Sequence, residues 1–356
     1  MKGAEASFDK TKFVCPSCQG ELSLKGASLK CCACGRIWPS SERGVWDFRR
    51  RKDRYWGEYP QRLMEALVAR SGTAGWQAAL KEFFSEKASS YYDYILGKKR
   101  ADWHFLVPVG RDARILDAGC GWGTLSFELA RTYDEVVAFD AVKERTEFIN
   151  VRREAESINN LLPVCGEVNS LPFPNDYFDM AVLNGVLEWV PTIEEGLRPL
   201  DAQIGALKET ARVLKKGGYL YLAIENRWAA INFLGSRDTH SGLRFAPLLP
   251  RFLADLYSRL ARGKTYREYT HTYRDYKTML RKAGFSDIRF YAPLPSYRNF
   301  YYITPVDDMK ALRFFLQNLL NERTRLRKVF AAISKLPFID YCIRFFVPDF
   351  SIIAKR

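Results

Sequence analysis

ILDAGCGWGT, residues 115–124, decides the fold. A short apolar run ends on an acid, Asp117. Gly119, Gly121 and Gly123 then follow at alternate positions and open onto the helical pattern TLSFELART. Glycines in such a loop let a ligand approach backbone that side chains would otherwise cover. A dinucleotide fingerprint needs glycine at position 124, where this chain has threonine, so a nicotinamide-type reading is demoted.

Working outward, EVVAFD reads as the next strand and ends on Asp140, nineteen residues after Gly121. An acid at that distance is placed to accept hydrogen bonds from both ribose hydroxyls of an adenosine, or to cap the helix that follows. VKERTEFINVRREAES reads as a charged helix, and LLPVCG and DMAVLNG as strands. A helix over 203–214, a Lys215–Gly218 turn and the strand YLYLAIE come next. A helix over 273–283 ending at Gly284, then SDIRFYAP and the closing DFSIIAKR, complete the series. Alternating strands and helices indicate a mostly parallel sheet. Ahead of it, residues 56–106 carry apolar positions at three-to-four spacing, a helical lead-in.

As a set, ILDAGCGWGT, Asp140, GEVNSLPFPNDYFDMAVLNGVLEWV and ARVLKKGGYLYLAIEN resemble the successive motifs of class I S-adenosylmethionine-dependent methyltransferases, over about residues 112–226. The resemblance implies a Rossmann-like α/β fold whose seven-stranded sheet is mostly parallel with an antiparallel last strand. It implies S-adenosylmethionine as cofactor, with Asp117 and Gly119 near its methionine part, Gly121 and Gly123 in the cofactor-binding loop and Asp140 on the ribose. Asn184, at the end of the fourth strand, would face the methyl group. Where the family usually has aspartate against the adenine this chain has Glu167, and the backbone of Val168 can serve the base. Glu188-Trp189 stands where many members have Glu-His, which removes a histidine base there. A narrower similarity, carried by LNGVLEWV, IENRW, FLGSRDTHSGLRF and APLPSYR, is to bacterial methyltransferases that accompany cell-surface polysaccharide biosynthesis. It implies a glycan, nucleotide-sugar or lipid-linked saccharide as acceptor.

An oxygen or amine acceptor is served by a base poised near neutrality. His240 in SRDTHSGLRF and His271 lie in or at the end of the stretch after YLYLAIE. Both are candidates for base or substrate orienter, and both can equally be structural hydrogen-bond donors. Glu188 is a further candidate. Tyr266, Arg267, Tyr269, Tyr273, Arg274, Tyr297 and Arg298 could line a sugar or phosphate pocket by stacking and by guanidinium forks; core packing and a solvated rim account for the same letters.

Near the N-terminus, Cys15-x-x-Cys18 and Cys31-x-x-Cys34 form a four-cysteine pattern of the zinc-ribbon kind, for a closed, structural Zn2+ site. Cys32 is the spare, since CxxCG spacing favours Cys31. Five of eight cysteines crowd into residues 15–34, which suggests metal rather than disulfides and a cytoplasmic setting.

The organisation expected is a ribbon over 1–48, a linker and helical lead-in over 49–110, and a methyltransferase domain over 111–356 with substrate insertions at about 226–272 and 294–348. A hydrophobic fraction of 47% excludes a disordered chain. The net charge of +14 fits an anionic partner. RNA is therefore the rival acceptor, and a cofactor-binding scaffold without catalysis the rival from another class. The run from Val329 to Val347 is broken by Lys335, Asp340 and Arg344, so no transmembrane segment is expected and peripheral membrane contact stays open.

Overall fold

The structure is a computed structural model that describes residues 12–85, 89–194, 196–318, 342 and 344–356. Most of the apolar stretch 329–347, and residues 319–341 and 343 of the expected second insertion, 294–348, lie outside the described residues.

Backbone alternation in the N-terminal segment yields β1 (Leu22–Lys25), β2 (Ser28–Cys31) and β3 (Ile37–Pro39), a small antiparallel sheet in the order β1-β2-β3. Gly26, at φ 61°, makes the tight turn between the first two strands. The segment that follows contributes β4 (Trp46–Asp47) to the larger sheet.

That larger sheet adds β5 (Arg114–Ala118), β6 (Glu135–Asp140), β7 (Leu161–Cys165), β8 (Phe178–Asn184) and β9 (Leu214–Glu225). The chain then supplies β10 (Ser286–Leu294), β11 (Tyr302–Pro305) and β12 (Asp349–Lys355). The order is β11-β10-β12-β9-β8-β5-β6-β7-β4. β5 pairs in parallel with β6 and β8, and β6 with β7; β12 runs antiparallel to β10. The expected seven strands are thus nine. The two extra strands sit at the edges and are short, so neither carries an alternating pattern long enough to read. Lys215–Gly218, expected as a turn, lies within β9. Gly217, at φ 81°, absorbs the irregularity, and its N–H donates to the Arg356 carbonyl.

Two compact units divide the chain: residues 1–184, 205–220 and 356 in one, residues 185–204 and 221–355 in the other. In the first, the lead-in helices Gln61–Ala74, Trp76–Ser85 and Ser89–Ile95 bury Met64, Leu67, Leu80 and Phe84 with Trp122 and Phe148. The lead-in therefore covers the helical side of the glycine loop, since Trp122 is part of that loop. In the second, the helix Tyr273–Lys282 starts at a capping box between Thr272 and Asp275, and Gly284 follows its C-cap at φ 96°.

Candidate functional site

Around the glycine loop, Gly119, Gly121 and Gly123 all adopt positive φ, at 78°, 55° and 78°. A Cβ at Gly121 would meet no atom within 4 Å, so the backbone there borders open space. Asp140, at the end of β6, holds the loop through both oxygens: Gly121 N–H donates to Oδ2 and Val142 N–H to Oδ1, each at 2.9 Å. The helix itself begins at Lys143 with no side-chain cap. Burial raises the Asp140 pKa, against the opposing pull of Arg145, whose Nη1 is 3.7 Å from Oδ1. Asp117 is 1% exposed, receives Ser126 Oγ at 2.5 Å, and is pushed by burial up to about 6.

Buried Glu167 accepts the backbone N–H groups of Arg50 (3.1 and 3.0 Å) and Arg51 (3.3 Å). Its carboxylate thus anchors the basic linker beside buried Val168. Asn184, half-buried, is the last residue of β8. The structure therefore brings Asp117, the three glycines, Asp140, Glu167, Val168 and Asn184 together in the first unit, at the carboxyl ends of β5, β6 and β8 and the loop after β7.

The four sulfurs of Cys15, Cys18, Cys31 and Cys34 lie within 4.8 Å of one another. Cys15 Sγ is 3.7 Å from Cys34 Sγ, and Cys18 Sγ 3.5 Å from Cys31 Sγ. A tetrahedron of sulfurs at about 2.3 Å from zinc has edges of about 3.8 Å. The set fits that ion. The Cys34 N–H donates to Cys31 Sγ and draws that thiol down to about 6, toward the thiolate a metal takes. Cys32 is exposed and outside the group.

In the second unit, Glu188, Glu225 and His240 converge. His240 Nε2 lies 3.6 Å from an oxygen of each glutamate, and its Nδ1 3.4 Å from Asp238 Oδ1. Trp189 packs edge-on against the imidazole at 5.0 Å. Burial opposes charge on His240, but the carboxylates of Asp238, Glu188 and Glu225 outweigh it and raise the imidazole to about 11. Burial and then Glu225 raise Glu188 as well. Glu225 Oε1 accepts from Tyr297 Oη at 3.1 Å and Arg298 Nη2 at 2.9 Å.

His271 lies elsewhere in that unit. Its Nε2 meets Gln203 Oε1 at 2.7 Å, and burial lowers it to about 3, so it is a neutral ring. Arg267 donates to the carbonyls of Pro191, Glu194 and Leu197. The sequence singles out His240 and Glu188 and assigns no catalytic role to Asp238 or Glu225. The Asp238-x-His240 spacing was the available signal.

Residues 116–222 match the methyltransferase domain family. The matched segment is similar to a methyltransferase domain. The biotin biosynthesis bifunctional protein BioHC of Cellvibrio japonicus is 28% identical over 176 residues, 48% of this chain and 32% of that protein. The methyltransferase YcgJ of Bacillus subtilis is 26% identical over 142 residues, 39% of this chain and 52% of YcgJ. Its solved structure aligns with 75% of this chain and 98% of its own, at 18% identity and a TM-score of 0.38. Demethylmenaquinone methyltransferase of Geobacillus kaustophilus is 27% identical, over 57% of this chain and 87% of that enzyme. The chain spans about a third of BioHC and half of YcgJ in these alignments. Among the described residues no helix is long and apolar enough to cross a membrane.

Proposed function

We propose that the chain transfers a methyl group from S-adenosylmethionine to a glycan, nucleotide-sugar or lipid-linked saccharide, in the cytoplasm. The observation that carries the cofactor half is the pair of buried carboxylates, Asp117 and Asp140, flanking a loop of three positive-φ glycines that borders open space. Asp140, already holding the loop backbone, has remaining acceptor capacity for ribose hydroxyls. Asp117 and Asn184 stand at the ends of β5 and β8, where ligands of open parallel sheets bind. Bound S-adenosylmethionine supplies an electrophilic methyl group on a sulfonium.

The acceptor half rests on the phrases shared with polysaccharide-associated methyltransferases and on the chemistry around His240. Glu188 follows Asn184 by four positions in the chain, and Glu225 ends β9. With His240 already holding its proton, a carboxylate of Glu188 or Glu225 accepts the proton of the acceptor. Trp189, 40% exposed, offers a face for a sugar ring, and Arg298 a cation for a phosphate-linked acceptor. The four cysteines hold a structural Zn2+.

Calorimetry of S-adenosylmethionine against the full chain and an Asp140→Ala variant tests the cofactor half. Micromolar binding to the wild type, about 8 kcal/mol, and its loss in the variant are expected. A folded wild type that does not bind sinks the reading. Transfer of labelled methyl to saccharide acceptors, but not to RNA, tests the acceptor half.

A further inference from the structure

Glu188 is 0% exposed, yet neither of its carboxylate oxygens has a hydrogen-bond partner among the described residues. Glu225 Oε2 and His240 Nε2 are buried without one as well. Leaving so many buried polar atoms unsatisfied is costly, and such groups call for an explanation. All of these side chains point into one small space, their ligand atoms within 4.8 Å of one another.

We propose that Glu188, Glu225 and His240 form a binding site for a divalent first-row transition-metal ion, distinct from the four-cysteine site. The spacing argues for a cation over a simple ion pair. A buried imidazolium and carboxylate free to meet would close to about 2.8 Å. Here Nε2 stands 3.6 Å from an oxygen of each glutamate. Ligands at about 2.1 Å from a tetrahedral ion lie about 3.4 Å apart, so the gap has the width of a metal.

The surroundings have the form expected behind a metal ligand. Asp238 Oδ1 faces His240 Nδ1 at 3.4 Å, which fixes the tautomer with Nε2 free to coordinate. Asp238 is itself held through Oδ2 by Ser241 N–H at 3.0 Å and by the Ser241 hydroxyl. Tyr297 and Arg298 orient Glu225 through Oε1, the oxygen that stands 3.6 Å from His240 Nε2, and Oε1 keeps acceptor capacity for the ion beside the unpartnered Oε2. Charge closes too: Asp238, Glu188 and Glu225 bring three negative charges and Arg298 one positive, so a divalent ion that displaces the proton from His240 Nε2 brings the group to zero. One nitrogen and two oxygen donors suit manganese, iron or zinc better than calcium, which takes six to eight oxygens. Three protein ligands leave a position open to water or an acceptor oxygen.

The inference does not rest on methyl transfer, because binding is read without cofactor or acceptor. Full-length protein with its cysteine site loaded with zinc is titrated with Mn2+, and free Mn2+ is followed by electron paramagnetic resonance. A second titration measures whether the chain takes up a further equivalent of zinc. One ion per chain is expected. Affinity should fall at least tenfold in Glu188→Gln, which preserves shape, and in His240→Gln, while Cys18→Ser keeps its Mn2+. Wild type that takes neither manganese nor a second zinc overturns the proposal. So does unchanged binding in whichever glutamine variant retains the wild-type circular dichroism spectrum.

Discussion

His271 and Gln203 form a closed pair. The imidazole Nε2 meets the amide oxygen at 2.7 Å, while the same amide's Nε2 donates to the carbonyls of Leu187 (3.0 Å) and Tyr269 (2.8 Å). His271 is therefore the donor, a neutral ring protonated at Nε2, and Gln203 connects three segments of the second unit through it.

That arrangement sets an acid limit. His271 has a folded pKa of about 3, below its ordinary 6.5. Its contribution to stability is present above about pH 6.5 and is lost as pH falls toward 3, on the order of 5 kcal/mol over the whole range. Urea titrations between pH 7 and 4 should show stability falling, and His271→Gln should flatten that slope. NMR of the ring should find it uncharged at pH 5.

At Asp117 the sign is opposite. Its folded pKa, about 6, exceeds the ordinary 3.8, so its burial is tolerated below pH 4 and penalised as pH rises through 6, by about 3 kcal/mol. Asp117→Asn should raise the Tm of the ligand-free protein at pH 7.5 while weakening S-adenosylmethionine binding. A variant that loses both stability and binding would contradict this assignment.

Cysteine substitutions separate ligand from spare. Cys15→Ser, Cys18→Ser, Cys31→Ser and Cys34→Ser should each lower the zinc released by a thiol-blocking mercurial from one equivalent per chain. Cys32→Ser should leave it at one. Zinc loss should also lower the Tm by several degrees, because ligation carries the folding of so small a sheet.

Gly185 sits at φ 69°, and a Cβ there would lie 2.7 Å from Tyr297 Oη. Gly185→Ala should destabilise by about 1–3 kcal/mol through backbone strain. It should also displace Tyr297 from Glu225, which a weakened Mn2+ affinity would report alongside denaturant unfolding.

Much of the sheet was legible because its strands are buried on both faces and read as continuous apolar runs such as ILDA and DMAVLN. The loop glycines and Asp140 were legible because backbone conformation and strand-end position restrict residue type. β4 was not, since two residues carry no periodicity and Trp46 looks like any aromatic in a loop. Glu167 was read for its place in a motif, and its bonds to Arg50 and Arg51 depend on a chain separation of more than a hundred residues. The meeting of Glu188, Glu225 and His240 has the same origin: three segments whose convergence is a property of topology, with only Asp238-x-His240 written locally.

β4 pairs in parallel with β7, Trp46 against Val164 and Asp47 against Cys165, and Phe48 N–H continues the ladder to the Cys165 carbonyl. Phe13 and Trp38 of the N-terminal cysteine segment pack on Phe48. The cysteine module thus plugs a row of backbone donors and acceptors that would otherwise invite strands from other chains. Unfolding of that segment would then act on this protein as a self-association hazard, with aggregates seeded along β7.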